Sequence, residues 1–292
     1  MKKTAGFLLR LAISAGIIFY LLQRSDWAAL KKALLNYPPA WWLAGLVFYA
    51  LFQAASIARW RYICKTLGFR KPYLYFLKLY LLNMYVNTFL PGFMGGDVVR
   101  GYYLVRDGFG LKESSFSVLV DRGAGLMAIC FLLLLFLPFY GGFIPPHVRL
   151  TVEVWALAVV IGGGGISLWA SLRRNRSLAP LIWPDSGAVF LYGLVVQVLY
   201  VFQFAVMAQG LHIRLPWSLY FVIVPITGFL SSLPVSLGGL GLREGSLVYF
   251  MGLRGVPQEK ALLLGLLVYS TVLTGALPGA LVYLRGVKSA RT

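Results

Sequence analysis

The sequence predicts an all-α polytopic membrane protein with about six transmembrane helices and two opposed re-entrant helical hairpins in an inverted repeat. Three observations predict it: a train of apolar segments with little polar chain between them, an eleven-residue motif that occurs twice, and an uneven placement of basic residues. Of 292 residues, 59% are hydrophobic and only 12% charged, and the mean hydropathy is +0.77. A soluble domain carries roughly 25% charged residues.

Apolar segments fall at 6–22, 40–58, 73–90, 114–139, 150–172, 187–209, 217–233 and 259–284, each reaching or approaching the roughly 20 residues that cross a bilayer. The first follows a basic start (MKKTAGFLLR) but no small-x-small cleavage site, so it reads as a retained span. The polar stretches 23–39 and 59–72 are too short for a soluble domain, and one integral membrane domain over 1–292 is expected. The formal net charge of +18 sits at the ends of apolar segments, which fits lipid headgroups and argues against nucleic acid. Cys64 and Cys130 have neither metal-site nor disulfide-framework spacing. Interfacial anchors are expected at Trp41, Trp42, Trp60, Tyr73 and Trp217.

The motif LPGFMGGDVVR at 90–100 recurs as LPVSLGGLGLR at 233–243. Pro91, Gly95, Gly96 and Arg100 match Pro234, Gly238, Gly239 and Arg243. Each copy follows an apolar segment of about 17 residues and precedes a short helix, a short loop and a long span, which implies a duplication. Repeat 1 covers about 40–139 with hairpin 73–106, and repeat 2 covers about 187–284 with hairpin 217–250.

If every segment crosses, basic residues divide almost evenly between the two faces. If the two hairpins enter and leave on one side, 16 Lys/Arg lie inside against 6 outside. The outside set is Arg24, Lys31, Lys32, Arg149, Arg214 and Arg254, whereas the five basic residues of 59–71 count inside. The positive-inside rule favours hairpins. Three intervening spans put them on opposite faces, with both termini cytoplasmic. Broken helices survive at membrane depth only beside protein or a wet cavity, so the tips at Pro91 and Pro234 are expected to meet at a central site.

At each tip, the glycines permit a tight turn and expose backbone N–H groups at a helix N-terminus. Arg100 and Arg243 sit one turn into the half-helices. They either bind an anion such as phosphate or brace the hairpin by pairing Asp97 and Glu244. Asp121 and Arg122 lie two turns into a long span, where ionisable groups are costly. Asp121 could pair Arg122, close a gate or meet a substrate amine. Asn83 and Asn87 share one helix face, for hydrogen bonding between helices or for lining a cavity, and Gln197 and Gln203 divide the same way. Gly162–Gly165, like Gly275 and Gly279, reads as close helix packing or a flexible point. No catalytic triad, metal cluster or cofactor motif emerges.

NTFLPGFMGGDVVRGYYLVRDG, SVLVDRGAGLMAI and SSLPVSLGGLGLREGSLVYFMGL together resemble the lysylphosphatidylglycerol synthase transmembrane-region family. That family includes the flippase half of multiple-peptide-resistance-factor proteins and standalone flippase-like membrane proteins. The resemblance implies a lipid translocase at the plasma membrane, without enzymatic activity of its own. Its polar motif positions correspond to Asn87, Asp97, Arg100, Asp121, Arg122, Arg243 and Glu244, with Gly95, Gly96, Gly238 and Gly239 at the tips. The soluble aminoacyltransferase domain is not in the sequence, so synthesis of the lysyl lipid is not expected. The expected partners are membrane lipids, anionic or aminoacylated, with a homodimer as an open form of assembly. Rival functions are transport of a small soluble anion and an enzyme acting on a lipid-linked substrate.

Overall fold

A computed structural model describes residues 2–89, 95–232, 235–236 and 239–286, with side chains from residue 9 onward except at 89 and 95. The chain is all-α and polytopic. Its helices are α1 (Lys2–Gln23), α2 (Trp27–Leu35), α3 (Pro39–Thr66), α4 (Tyr73–Phe89), α5 (Gly95–Arg106) and α6 (Leu111–Tyr140). There follow α7 (Pro146–Arg173), a 3-10 turn (Arg176–Leu181), α8 (Asp185–Gly210), α9 (Trp217–Ser232), α10 (Leu242–Gly252), α11 (Gln258–Ala276) and α12 (Pro278–Arg285).

Five stretches are long and apolar enough to cross a membrane: α3, α6, α7, α8 and the pair α11–α12 taken together. The sixth expected span, α1, is a shorter apolar helix over Leu9–Gln23, the part whose side chains are described. Lipid as solvent explains the outward faces. On α7, Leu157, Ile161, Ile166 and Leu168 are all exposed, an arrangement that water would penalise. The expected continuous span 259–284 divides at Leu277–Pro278, because proline supplies no N–H to the preceding turn and starts a new helix. The polar stretch 23–39 contains a further helix, α2. The Asp26 carboxylate caps it, accepting from the N–H groups of Ala28 (2.8 Å) and Ala29 (3.2 Å).

The chain forms two compact units. One comprises residues 1–49, 132–153 and 198–274, and contains α9 and α10. The other comprises 50–131, 154–197 and 275–292, and contains α4 and α5.

In the second unit, α4 and α5 form a helical hairpin. Near its tip the Gly96 N–H donates to Asn87 Oδ1 (3.0 Å), and at its open end the Tyr75 hydroxyl donates to the Tyr103 carbonyl (3.4 Å). Gly108, with φ of +96°, ends α5, and the Phe109 N–H closes back on the Leu104 carbonyl (2.9 Å). In the first unit α9 packs on α10. Gly255, with φ of +75°, ends α10, and the Val256 N–H bonds the Met251 carbonyl (3.1 Å). Both half-helices therefore stop by the same left-handed glycine closure, which extends the local likeness of the two motif copies beyond their eleven residues.

Candidate functional site

In the second unit a chain of ion pairs joins five side chains from three helices. Arg59 Nε on α3 donates to Asp121 Oδ1 on α6 (2.8 Å). Arg100 on α5 bridges two carboxylates, through Nη1 to Asp121 Oδ2 (3.1 Å) and Nη2 to Asp97 Oδ1 (2.9 Å). The other oxygen of Asp97 takes the Arg122 guanidinium. Arg59, Arg100 and Asp121 are 6%, 2% and 2% exposed, whereas the Arg122 side chain is 49% exposed. The chain therefore has a sealed interior and one open end.

Aromatic rings complete the sealed part. The Arg100 guanidinium lies over the rings of Trp60 (4.8 Å) and Tyr80 (5.4 Å), which supply attraction that water would otherwise provide. Trp60 Nε1 donates to Ser117 Oγ (3.3 Å), and the Ser117 hydroxyl donates to the Ser114 carbonyl (2.7 Å). These rings belong to a core with Phe76, Leu79, Leu104 and Phe109, so α3, α4 and α5 hold the cluster by ordinary apolar packing. Arg122 lies eleven residues beyond the start of α6, about 16 Å at 1.5 Å per residue.

Several expectations are corrected here. Asp121 pairs Arg59 and Arg100 and not Arg122, because adjacent helical residues point about 100° apart. Arg59 belongs to the cluster, not to the basic loop end, since α3 continues for seven more residues. Trp60 is fully buried, not an interfacial anchor, because it walls the Arg100 site. Bracing holds for Arg100, whose i−3 partner Asp97 is in contact.

α5 opens at Gly95 and not after the Gly-Gly pair, so both glycines lie within the helix, and Gly96 is where α5 meets α4. A Cβ at 96 would stand 2.6 Å from the Asn83 carbonyl oxygen, and the Asn87 amide both donates to Asn83 Oδ1 (3.0 Å) and caps the Gly96 N–H. The asparagine pair is thus a clamp between helices. Asn87→Ala is expected to cost about 1–3 kcal/mol, the net worth of the two hydrogen bonds it removes, read as a fall in Tm by thermal unfolding in detergent. Pro91, Pro234 and Gly238 lie outside the described residues.

The first unit holds the second set. α10 begins at Leu242, later than the Gly-Gly spacing suggests, so Arg243 is its second residue and not one turn inside. The delay comes from Gly239 (φ +82°) and Gly241 (φ +88°), whose left-handed backbone extends the turn. Fully buried Glu244 reaches back to accept from the Gly241 N–H (2.6 Å), capping the helix. Arg243 lies over the Tyr269 ring (5.4 Å) and is hydrogen-bonded to Tyr200. Glu244 also occupies a close contact with α11, where a Cβ at Gly265 would come within 2.9 Å of its Cγ.

The two glutamines serve packing: Gln203 Nε2 donates to Thr271 Oγ1 (2.8 Å) and Gln197 Nε2 to the Gly125 carbonyl (3.5 Å). Within the four-glycine run, Gly163 alone has a close neighbour, Met127. No group of three or more His, Cys, Asp or Glu side chains that could hold a metal occurs among the described residues.

A polytopic helical protein with a chain of arginine–aspartate pairs deep among its helices defines a class of membrane protein whose polar business lies within the span. The chain belongs to the lysylphosphatidylglycerol synthase transmembrane-region family, which it matches over residues 7–279. It is also 30% identical over 74 residues to a UPF0104 membrane protein of Methanocaldococcus jannaschii, a match covering 25% of this chain and 22% of that protein's length. The family places the chain among multi-pass, lipid-related membrane proteins.

Proposed function

We propose that the protein moves an anionic or aminoacylated phospholipid between leaflets of the plasma membrane by alternating access. It acts as a translocase, not an enzyme, with both termini cytoplasmic and the α4–α5 and α9–α10 hairpins as the moving, inverted halves. The observation that carries this is the ion-pair chain. Three arginines face two aspartates, leaving a formal charge of +1 whose open end is Arg122. An uncompensated cation at membrane depth favours one monovalent anion, and a phosphodiester is the monovalent anion of the bilayer. Arg243 with Tyr200 and Tyr269 offers a second cationic position of related chemistry. The Asp97 oxygen that Arg122 leaves when it takes the phosphate suits an amine on the headgroup.

The test is reconstitution into liposomes carrying headgroup-labelled phosphatidylglycerol, lysylated phosphatidylglycerol or phosphatidylcholine, with leaflet exchange followed by quenching from outside. Movement of the first two at rates well above protein-free vesicles is expected. Arg122→Ala is expected to reduce it about tenfold, as for loss of one charge-assisted bond, with the fold intact. Transport of a soluble anion with no lipid movement in any class would overturn the proposal.

A further inference from the structure

The open end of the ion-pair chain leads into a groove of about 510 Å³ between α5 and α6. Sites for a single ligand occupy about 300–1,000 Å³. α5 contributes Val98, Gly101 and Tyr102 to the walls, and α6 contributes Val118 and Leu119. Val98, Tyr102 and Leu119 are each more than 60% exposed, so the groove opens sideways. Its ionisable lining groups, Asp97 and Arg122, are paired at one end. At the other end Val105 and Leu111 flank a turn that starts with Arg106 and Asp107, and Lys112 and Glu113 follow in the first turn of α6, which together mark the aqueous boundary.

The walls and the charge together define the occupant. Asp97 divides its single charge between Arg100 and Arg122, so the half-exposed guanidinium about 16 Å along a spanning helix is only partly neutralised and favours a second anion. Free phosphate would satisfy Arg122 but leave the apolar walls wet. An anion attached to a hydrocarbon chain satisfies both. The lengths agree: the groove follows α5 from Asp97 to Val105, about 12 Å, and α6 from Leu111 to Arg122, about 16 Å. One acyl chain crosses half of a hydrocarbon core about 30 Å thick.

We infer that the groove holds one acyl chain of a phospholipid whose phosphodiester sits on Arg122, with the chain directed toward the 106–113 turn. The polar end of the groove is its deep end, so the bound lipid is inverted relative to lipids of the leaflet beside that turn. It has the orientation of a lipid drawn inward from the opposite leaflet. Asp97 is not stranded when the phosphate takes Arg122, because its other oxygen still holds Arg100. The inference rests on the lipid-translocation proposal above and adds the subsite and the direction.

Photoactivatable phosphatidylglycerols test it, with a diazirine either beside the ester or at the chain terminus, in liposomes holding the full chain. Labelled peptides are mapped by mass spectrometry. The ester-proximal probe is expected to label around Val98 and Arg122, and the terminal probe around Val105 and Leu111. Arg122→Ala should lower labelling about tenfold, to the level of a diacylglycerol probe that lacks the phosphate, while Leu119→Trp fills the groove and removes the gradient without touching the ion pairs. A reversed order, or labelling no denser than at lipid-facing Leu168, overturns the inference. Leaflet exchange is measured on the same vesicles. Exchange without groove labelling sinks the subsite alone, whereas the ordered labelling without exchange supports the subsite and sinks translocation.

Discussion

Asp121→Ala is expected to destabilise the protein by about 3–5 kcal/mol, the cost of leaving a buried ion pair without its partner. The position is severe because Asp121 serves two arginines at once, and neither has water to retreat to at 6% and 2% exposure. Among the described residues, Arg59 Nη1 and Arg100 Nε have no side-chain or backbone acceptor. Thermal unfolding in detergent, or the yield of monodisperse protein, gives the measurement. Arg122→Ala in the same assay is the contrast: the side chain removed is half exposed, Asp97 keeps Arg100 as its partner, and the change is expected to cost about 1 kcal/mol. An Asp121→Ala protein as stable as wild type would show that the cluster is hydrated and not sealed.

Gly279→Ala is the second large expected effect, about 3 kcal/mol from overpacking. α12 lies directly on α4, and a Cβ at 279 would come 2.7 Å from Tyr85 Cβ and nearer still to the Leu81 carbonyl oxygen. Backbone cannot yield as a side-chain tip can, so the helices must separate. Faster hydrogen exchange across α12, with a lower Tm, is the expected signature. Unchanged protection in α12 would refute the close approach.

The span-scale features were legible in the sequence because membrane helices advertise themselves by length and apolarity, and the paired motif announced both helix breaks. Asp97 and Arg100 were legible for the same reason: charges on an otherwise apolar strip demand an explanation. Arg59 and Trp60 were not, because the run RWRYICK looks like the basic end of a span. The real stop lies at Gly68, where φ of +94° lets the Phe69 N–H close on the Cys64 carbonyl (2.9 Å). Reading that glycine as the helix end would have placed Arg59 inside. The late start of α10 was hidden differently: two identical Gly-Gly pairs do not fix how many residues follow in left-handed backbone. The groove between α5 and α6 left no trace in the sequence, since it is made by the angle at which two apolar faces diverge.

The gradient of exposure along the five paired side chains has a consequence for ionic strength. Mobile ions screen charges they can approach, over about 8 Å at physiological salt, and they approach only the Arg122 end. Three of the four joints lie out of their reach, two of them held further by Trp60 and Tyr80. Salt can therefore loosen the mouth of this cluster while its root stays fixed, so the same row of charges is at once a rigid anchor and a soft contact.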